Sequence, residues 1–318
     1  MAEKFDVIVV GELNIDLILN KIRGFPKVGT EILANEMEFT MGSSSAICAS
    51  NLSSLGLRVG FIGKLGDDIF GRFIIEKLKE KGVNTSMIIM DDTLKTGVTV
   101  ALSYDEDRAM TTYPGAMSYL TVDDIDEDCF RNTTHVHFSS YFLQPGFKDK
   151  LYLLFKKAKN VGATTSMDVQ WDPAEKWDLN LEEVLPYVDV FLPNIIELQS
   201  LTRKTNISEA LESLKNNHGF IAVKCGNRGS VLYHKGKQIS KPPFLHKNVV
   251  DTIGAGDSFN AGYIYKYIQG KSPETCLEFG NLIGAISTTK PGGTSAFTNI
   301  EDILNTASNI FNYYDIEQ

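Results

Sequence analysis

Asp251-Thr252-Ile253-Gly254-Ala255-Gly256-Asp257-Ser258-Phe259-Asn260-Ala261-Gly262 sets two glycines, one residue apart, before a run whose apolar positions (Phe259, Ala261, Tyr263, Ile264, Tyr267, Ile268) predict a helix from Ser258 to Gln269. Glycines let the backbone turn with its N–H groups bared, and bare amides at the positive end of a helix dipole favour phosphate. Asp257 stands where an incoming phosphoryl group would meet its acceptor. A phosphate cradle beside a base points to phosphoryl transfer. The simpler alternative is a plain glycine connector followed by a first-turn acid that favours the helix dipole.

The 318 residues, 43% of them hydrophobic, suffice for one large domain with a substantial core. A formal net charge of -9 with no basic run argues against nucleic acid and for small-molecule chemistry. Cys48, Cys129, Cys225 and Cys276 lie dozens of residues apart, without a CxxC pair or a histidine cluster, which fits a reducing cytoplasm better than disulfides or zinc. Residues 1–10 lack a basic stretch leading into an apolar one, and no run approaches the ~18 apolar residues of a membrane span, so the expectation is a soluble, unprocessed, cytoplasmic protein.

Short apolar strands alternate with amphipathic helices over most of the chain, the pattern of an α/β fold with a largely parallel sheet. Strands are expected at Val7–Val10, Val59–Ile62, Val136–Phe138, Thr164–Met167, Val188–Leu192 and Phe220–Val223. Helices are expected at Asp68–Lys81, Lys148–Lys159, Ile207–Asn216 and Pro273–Thr288. Residues 12–40 and about 95–113 lack helical period and read as antiparallel strands of a small flanking sheet, a candidate lid on a single domain spanning 1–318.

The stretch Asp251–Gly262 resembles the C-terminal signature of the PfkB, or ribokinase-like, carbohydrate kinase family. The run from Gly42 and Ser43 to Ala46, then Leu55-Gly56 and Val59 to Gly71, is similar to the family's other signature. The resemblance extends over nearly the whole chain. It implies a doubly wound α/β domain, a mostly parallel sheet flanked by helices, with a small β-sheet lid that covers the sugar and often makes a homodimer surface. It also implies ATP and Mg²⁺ as cofactors and a sugar hydroxymethyl group (fructose, ribose or sugar-acid type) as acceptor.

Carried over by position, Asp257 is the general base, and the amides of Gly254, Ala255 and Gly256 form the anion hole, roles that suit a reaction governed by positioning and electrostatics. Asn194 and Glu197 resemble the Asn-x-x-Glu motif that helps place magnesium and nucleotide phosphates; Asn followed three residues later by Glu is equally a helix capping box. Lys224 and Gly226 would border the nucleotide, while Gly229 fits either that loop or a plain hairpin between Val223 and Val231. Gly292 and Ser295, with Asp251 and Ile253, resemble the loops that enclose a monovalent cation, potassium, in several members. Asp16, with Asn14, would hydrogen-bond the sugar hydroxyls, with Gly42 and Ser43 close by.

Two departures fall on the acceptor side. Met41, Gly42 and Ala46 stand where the family usually has Gly-Gly and an Asn four residues later, and the Asp-x-Asn-x-Arg pattern of several sugar kinases reads Asp168-Val169-Gln170-Trp171-Asp172. These keep a nucleoside kinase of the same family open as an alternative, and a catalytically silent sugar- or nucleotide-binding protein is the third reading. No G-x-x-x-x-G-K-[ST], protein-kinase H-R-D or D-F-G, or G-x-G-x-x-G after the first strand occurs.

Overall fold

In the computed structural model, which describes residues 4–104 and 107–314, strands and helices alternate along the chain. They run in the order β1 (Phe5–Val10), β2 (Asn14–Asn20), β3 (Glu36–Met41), α1 (Ser44–Ser54), β4 (Val59–Gly66), α2 (Ile69–Glu80), β5 (Ile88–Asp91), β6 (Gly97–Tyr104) and β7 (Asp107–Tyr113). There follow β8 (Thr133–Ser139), α3 (Leu151–Asn160), β9 (Thr164–Asp168), α4 (Leu181–Val184), β10 (Val190–Phe191), α5 (Ile195–Thr202), α6 (Ile207–Ser213), β11 (Phe220–Lys224), β12 (Ser230–His234) and β13 (Lys237–Lys241). The chain ends through α7 (Ala255–Ile268), α8 (Pro273–Ser287) and α9 (Ile300–Phe311).

The large sheet has the order β13-β12-β11-β10-β9-β8-β1-β4-β5, parallel from β11 to β5, with β12 and β13 added antiparallel at one edge. Both faces are covered, and β1 shows it: Ile8 and Val10 pack into one apolar cluster, Val7 and Val9 into another. That is the near-continuous apolar strand of a doubly covered parallel sheet. From β1 the chain first builds outward through β4 and β5, then returns to lay β8 on the other side of β1. The order therefore reverses at β1 and β8, and in open α/β sheets ligands bind beyond the carboxyl ends of the strands at such a point.

A separate four-stranded sheet, β3-β2-β6-β7, leaves the large one where β1 runs through Gly11–Leu13 into β2. The sequence reading expects antiparallel strands in 12–40 and 95–113. β2–β3 and β6–β7 are antiparallel, but β2–β6 is parallel. The reason is connectivity: α1, β4, α2 and β5 lie between β2 and β6, a crossover long enough for parallel pairing. Two helix starts also differ. α3 begins at Leu151, because Pro145–Phe147 forms a 3-10 turn and Asp149 takes a left-handed φ of 57°. α7 begins at Ala255, three residues before the expected Ser258, so the glycine loop is the first turn of the helix.

Candidate active site

Gly254 is the residue before α7, left-handed at φ 72°, and a Cβ there would lie 2.5 Å from the Cα of Gly293. Only glycine meets both conditions. The helix thus opens with amides of Ala255, Gly256 and Asp257 that have no partner within the helix, beside Asp257 in its first turn. Gly256 has open space on its side-chain face, with the Lys224 ammonium 3.7 Å from where a Cβ would be.

Asp257 is only 7% exposed. Burial, and next the charge of Asp168, push its carboxyl up to about 7, against the opposing pull of Lys224. Its Oδ1 accepts from Gln170 Nε2 at 2.8 Å, and the carboxylate also takes a hydrogen bond from Ser44. Asp168, at the end of β9 and fully buried, is the hub beneath it: its Oδ2 accepts from Lys224 Nζ at 2.5 Å, Asn260 Nδ2 at 2.6 Å and Gln170 Nε2 at 3.0 Å. Lys224 comes from the end of β11, and Asn260 stands one helical turn after Asp257. The sequence reading assigns Lys224 to the nucleotide phosphates; the structure directs its ammonium to Asp168, beside Gly256.

Glu12, just beyond β1, is also buried, and burial raises its carboxyl pKa. It accepts from the Ser45 amide and the Ser45 hydroxyl at the start of α1, and from Ser140 just beyond β8. Asn194 and Glu197 follow β10 and form a full capping box: Glu197 N donates to Asn194 Oδ1 (2.9 Å), while Asn194 N and Nδ2 donate to the Glu197 carboxylate (2.8 and 2.6 Å). Burial, followed by Asp168, raises Glu197 as well. Glu12, Asp168, Asn194, Glu197 and Lys224 therefore stand at or just beyond the carboxyl ends of parallel strands, where the topology places a ligand.

On the small sheet, Asn14 Nδ2 donates to Asp16 Oδ1 (2.9 Å) and to Thr99 Oγ1 (3.1 Å), and Thr99 shares a hydrogen bond with Thr112 across to β7. Gly42 is what lets this patch meet the main domain: a Cβ there would lie 2.2 Å from Asp16 Oδ1. Ser43 caps α1, its hydroxyl donating to the Glu12 carbonyl and accepting from Ala46 N. The segment Gly42–Ser45 touches Asp16 at one end and Asp257 and Glu12 through Ser44 and Ser45. Met41 and Ala46 are buried in the apolar core, and Asp172, where several sugar kinases have arginine, is a buried turn acid accepting from the amides of Ala174, Lys176 and Trp177.

The remaining assigned residues lie around this centre. Asp251 ties two loops together, Oδ1 accepting from Ile253 N and Oδ2 from Gly292 N, both at 3.0 Å. Ser295 N donates to the Gly292 carbonyl at 3.3 Å. Gly226, at φ 59°, sits in an exposed turn, and Gly229 serves the hairpin in which Val223 faces Val231. Sequence reading did not assign Glu12, Ser44, Ser45, Thr99, Thr112, Asp168, Gln170 or Asn260 to the site. Asn260 carried a signal, its i, i+3 spacing from Asp257 on one helix face.

A buried acid at the start of a helix thus stands in a doubly wound α/β fold, next to the hydrogen-bonded Asn14–Asp16–Thr99 patch of a second sheet. The family model described as pfkB family carbohydrate kinase matches residues 4–300, and the chain belongs to that family. It is 30% identical over 307 residues to a 2-dehydro-3-deoxygluconokinase of Bacillus subtilis, with 91% of each chain covered. To a 5-dehydro-2-deoxygluconokinase of Geobacillus kaustophilus it is 28% identical over 302 residues, covering 88% of this chain and 87% of the other. Its fold matches the structure of a ribokinase of Arabidopsis thaliana complexed with ribose and ATP, at a TM-score of 0.81 and 26% identity over 95% of this chain and 98% of that one. The protein is a carbohydrate kinase, and its reaction is ATP-dependent phosphorylation of a sugar. No helix among the described residues is long and apolar enough to cross a membrane.

Proposed function

We propose that Asp257 takes the proton from a hydroxymethyl group of the sugar while the amides of Gly254, Ala255 and Gly256 hold the charge that grows on the transferring phosphoryl group. The observation that carries this is the burial of Asp257 in the first turn of α7 with its carboxyl raised to about 7: a base poised near neutral pH at the amide-bearing start of a helix. Asp16, held by Asn14 and flanked by Gly42 and Ser43, orients the acceptor hydroxyls. Lys224 offsets Asp168 and the approaching phosphate charge; Gly226 borders the nucleotide.

Mg²⁺ fits near Asn194 and Glu197. Three buried acids with raised pKa values, Glu12, Glu197 and Asp257, face one nearby ammonium, so a nucleotide polyphosphate needs added positive charge to enter. Among the described residues no three His, Cys, Asp or Glu side chains converge as a metal cage, which suits an ion held through water and phosphate oxygens. When bound it neutralises phosphate charge. Asp251, Ile253, Gly292 and Ser295 make the place for K⁺, the Asp251 carboxylate already drawing both loops together.

The four-stranded sheet serves as a lid that excludes water from the closed site. Its exposed Met37, Phe39, Met110 and Tyr113 suit burial against a second copy, giving a homodimer, and the free cysteines suit a cytoplasmic location. A panel of ketoses, aldoses, deoxy-sugar acids and nucleosides, with ADP release and phosphorylated product both measured, tests the proposal. Activity confined to nucleosides, or full turnover by Asp257→Asn, refutes it.

A further inference from the structure

We propose that Gln170 is a positioning residue that sets the ionisation and aim of the base, its single side-chain amide bridging the two acids of the site. The amide nitrogen has two hydrogens and two acceptors: Asp257 Oδ1 at 2.8 Å and Asp168 Oδ2 at 3.0 Å. One neutral group thus stands between two carboxylates that repel each other when both are charged. By holding Oδ1, it fixes the plane of the Asp257 carboxylate, to which Ser44 also donates. The placement is maintained at a cost, since Gln170 takes a left-handed φ of 59°, a region where a non-glycine residue is uncommon and which clusters at functional sites. The backbone there is tied down, Gln170 N donating to Asp168 Oδ1.

Asp257 is faced by ionisable groups from several elements: Asp168 from β9, Lys224 from β11, Glu12 from the β1 end, Glu197 from α5 and Cys48 from α1. A change at Gln170 to an uncharged side chain leaves all of these in place. What it removes is a donor to the anionic form of both acids, and a hydrogen bond to the charged form of an acid holds its pKa down. Without the bridge the Asp257 carboxyl titrates higher still, and at neutral pH less of it is ionised.

This rests on the assignment of Asp257 as the base, so the test reads ionisation directly as well as turnover. In protein carrying ¹³C-carboxyl aspartate, the Asp257 resonance, identified by its loss in Asp257→Asn, is titrated in the unsubstituted protein and in Gln170→Leu. The expected result is an upward move of about one pH unit, tenfold in the ionised fraction at a given pH. In kinetics the acidic limb of kcat moves by the same amount and kcat falls at neutral pH, while KM for ATP stays within about twofold because no phosphate contact is touched. Gln170→Glu, which adds a third carboxylate, moves the limb further up, and it is the variant to use if Gln170→Leu does not fold. An Asp257 titration unchanged in a folded variant overturns the bridge. Absence of turnover in the unsubstituted protein with every acceptor overturns the base role instead, and leaves the titration to decide the bridge.

Discussion

Replacing Asp257 with Asn separates what this side chain does for catalysis from what it costs the fold. The carboxyl is raised from 3.8 to about 7, mainly by burial, and at 1.36 kcal/mol per pKa unit that corresponds to roughly 4 kcal/mol of folding stability lost once the group is ionised. The direction follows from linkage. A carboxyl raised in the folded state binds more protons there than in the unfolded chain, so stability is fully present below about pH 4, declines as pH rises, and is lost completely above about pH 7. Asparagine removes the charge and keeps an acceptor for Gln170, though its own buried amide takes back about 1–3 kcal/mol. The net expectation is a gain of about 1–3 kcal/mol at alkaline pH, which for a chain of this size raises Tm by about 1.5–4.5 °C. Turnover falls by about 10²–10⁴-fold or more, with nucleotide affinity little changed. Melting curves of both proteins across the window from pH 4 to 9, beside a coupled ADP assay, give the answer. A Tm difference that does not widen between about pH 4 and about pH 7 refutes the burial argument, and turnover like that of the unsubstituted protein refutes the base.

Other perturbations test the surrounding parts. In the unsubstituted protein kcat rises with pH through about 7 as Asp257 loses its proton, and a profile flat across neutrality contradicts the raised carboxyl. Gly42→Ala puts a methyl group 2.2 Å from Asp16 Oδ1; displacing that carboxylate raises KM for the acceptor by about tenfold or more while KM for ATP holds, which initial-rate kinetics resolve. Lys224→Met strips a fully buried Asp168 of its cation and costs about 3–5 kcal/mol in urea unfolding, most of it recovered when Asp168→Asn is added. His135 and His137 lie side by side in β8, joined through Ser166 Oγ at 2.7 Å from each ring, and burial holds both down to about 3. Their stability contribution is present above about pH 6.5 and is lost as pH falls toward about 3, so His137→Asn flattens the acid limb of a stability profile.

The parts legible in the sequence are those that a short stretch of chain builds alone. Gly254 to Asp257 announces itself because a left-handed turn, bare amides and an acid must be adjacent, and Asn194 with Glu197 because a capping box spans a single turn. The α/β alternation was legible for the same reason, each strand and helix carrying its own period. What escaped depends on tertiary placement. Asp168 and Gln170 lie two residues apart, but Lys224 is 56 residues beyond Asp168 and meets it only because β9 and β11 end at the same edge of the sheet with β10 between them. Thr99 and Thr112 join Asn14 and Asp16 through the register of β6 against β7 and β2. The parallel β2–β6 pairing was hidden too, since strand alternation carries no direction.

The charge pattern of the site bears on why it is assembled this way. A fold selected only for stability would not bury Glu12, Asp168, Glu197 and Asp257 around one lysine, because each uncompensated charge lowers stability. On the proposed roles the imbalance is useful, since clustered acids favour a nucleotide that arrives with its metal ion over one that brings negative charge alone. Such a nucleotide offsets the clustered acid charge, and the part of that gain that grows with the phosphoryl charge is available to the transition state. Gln170 and Asn260 each donate a neutral hydrogen bond into the acid cluster, which on the proposed roles holds the carboxylates apart and ionisable without a second ammonium.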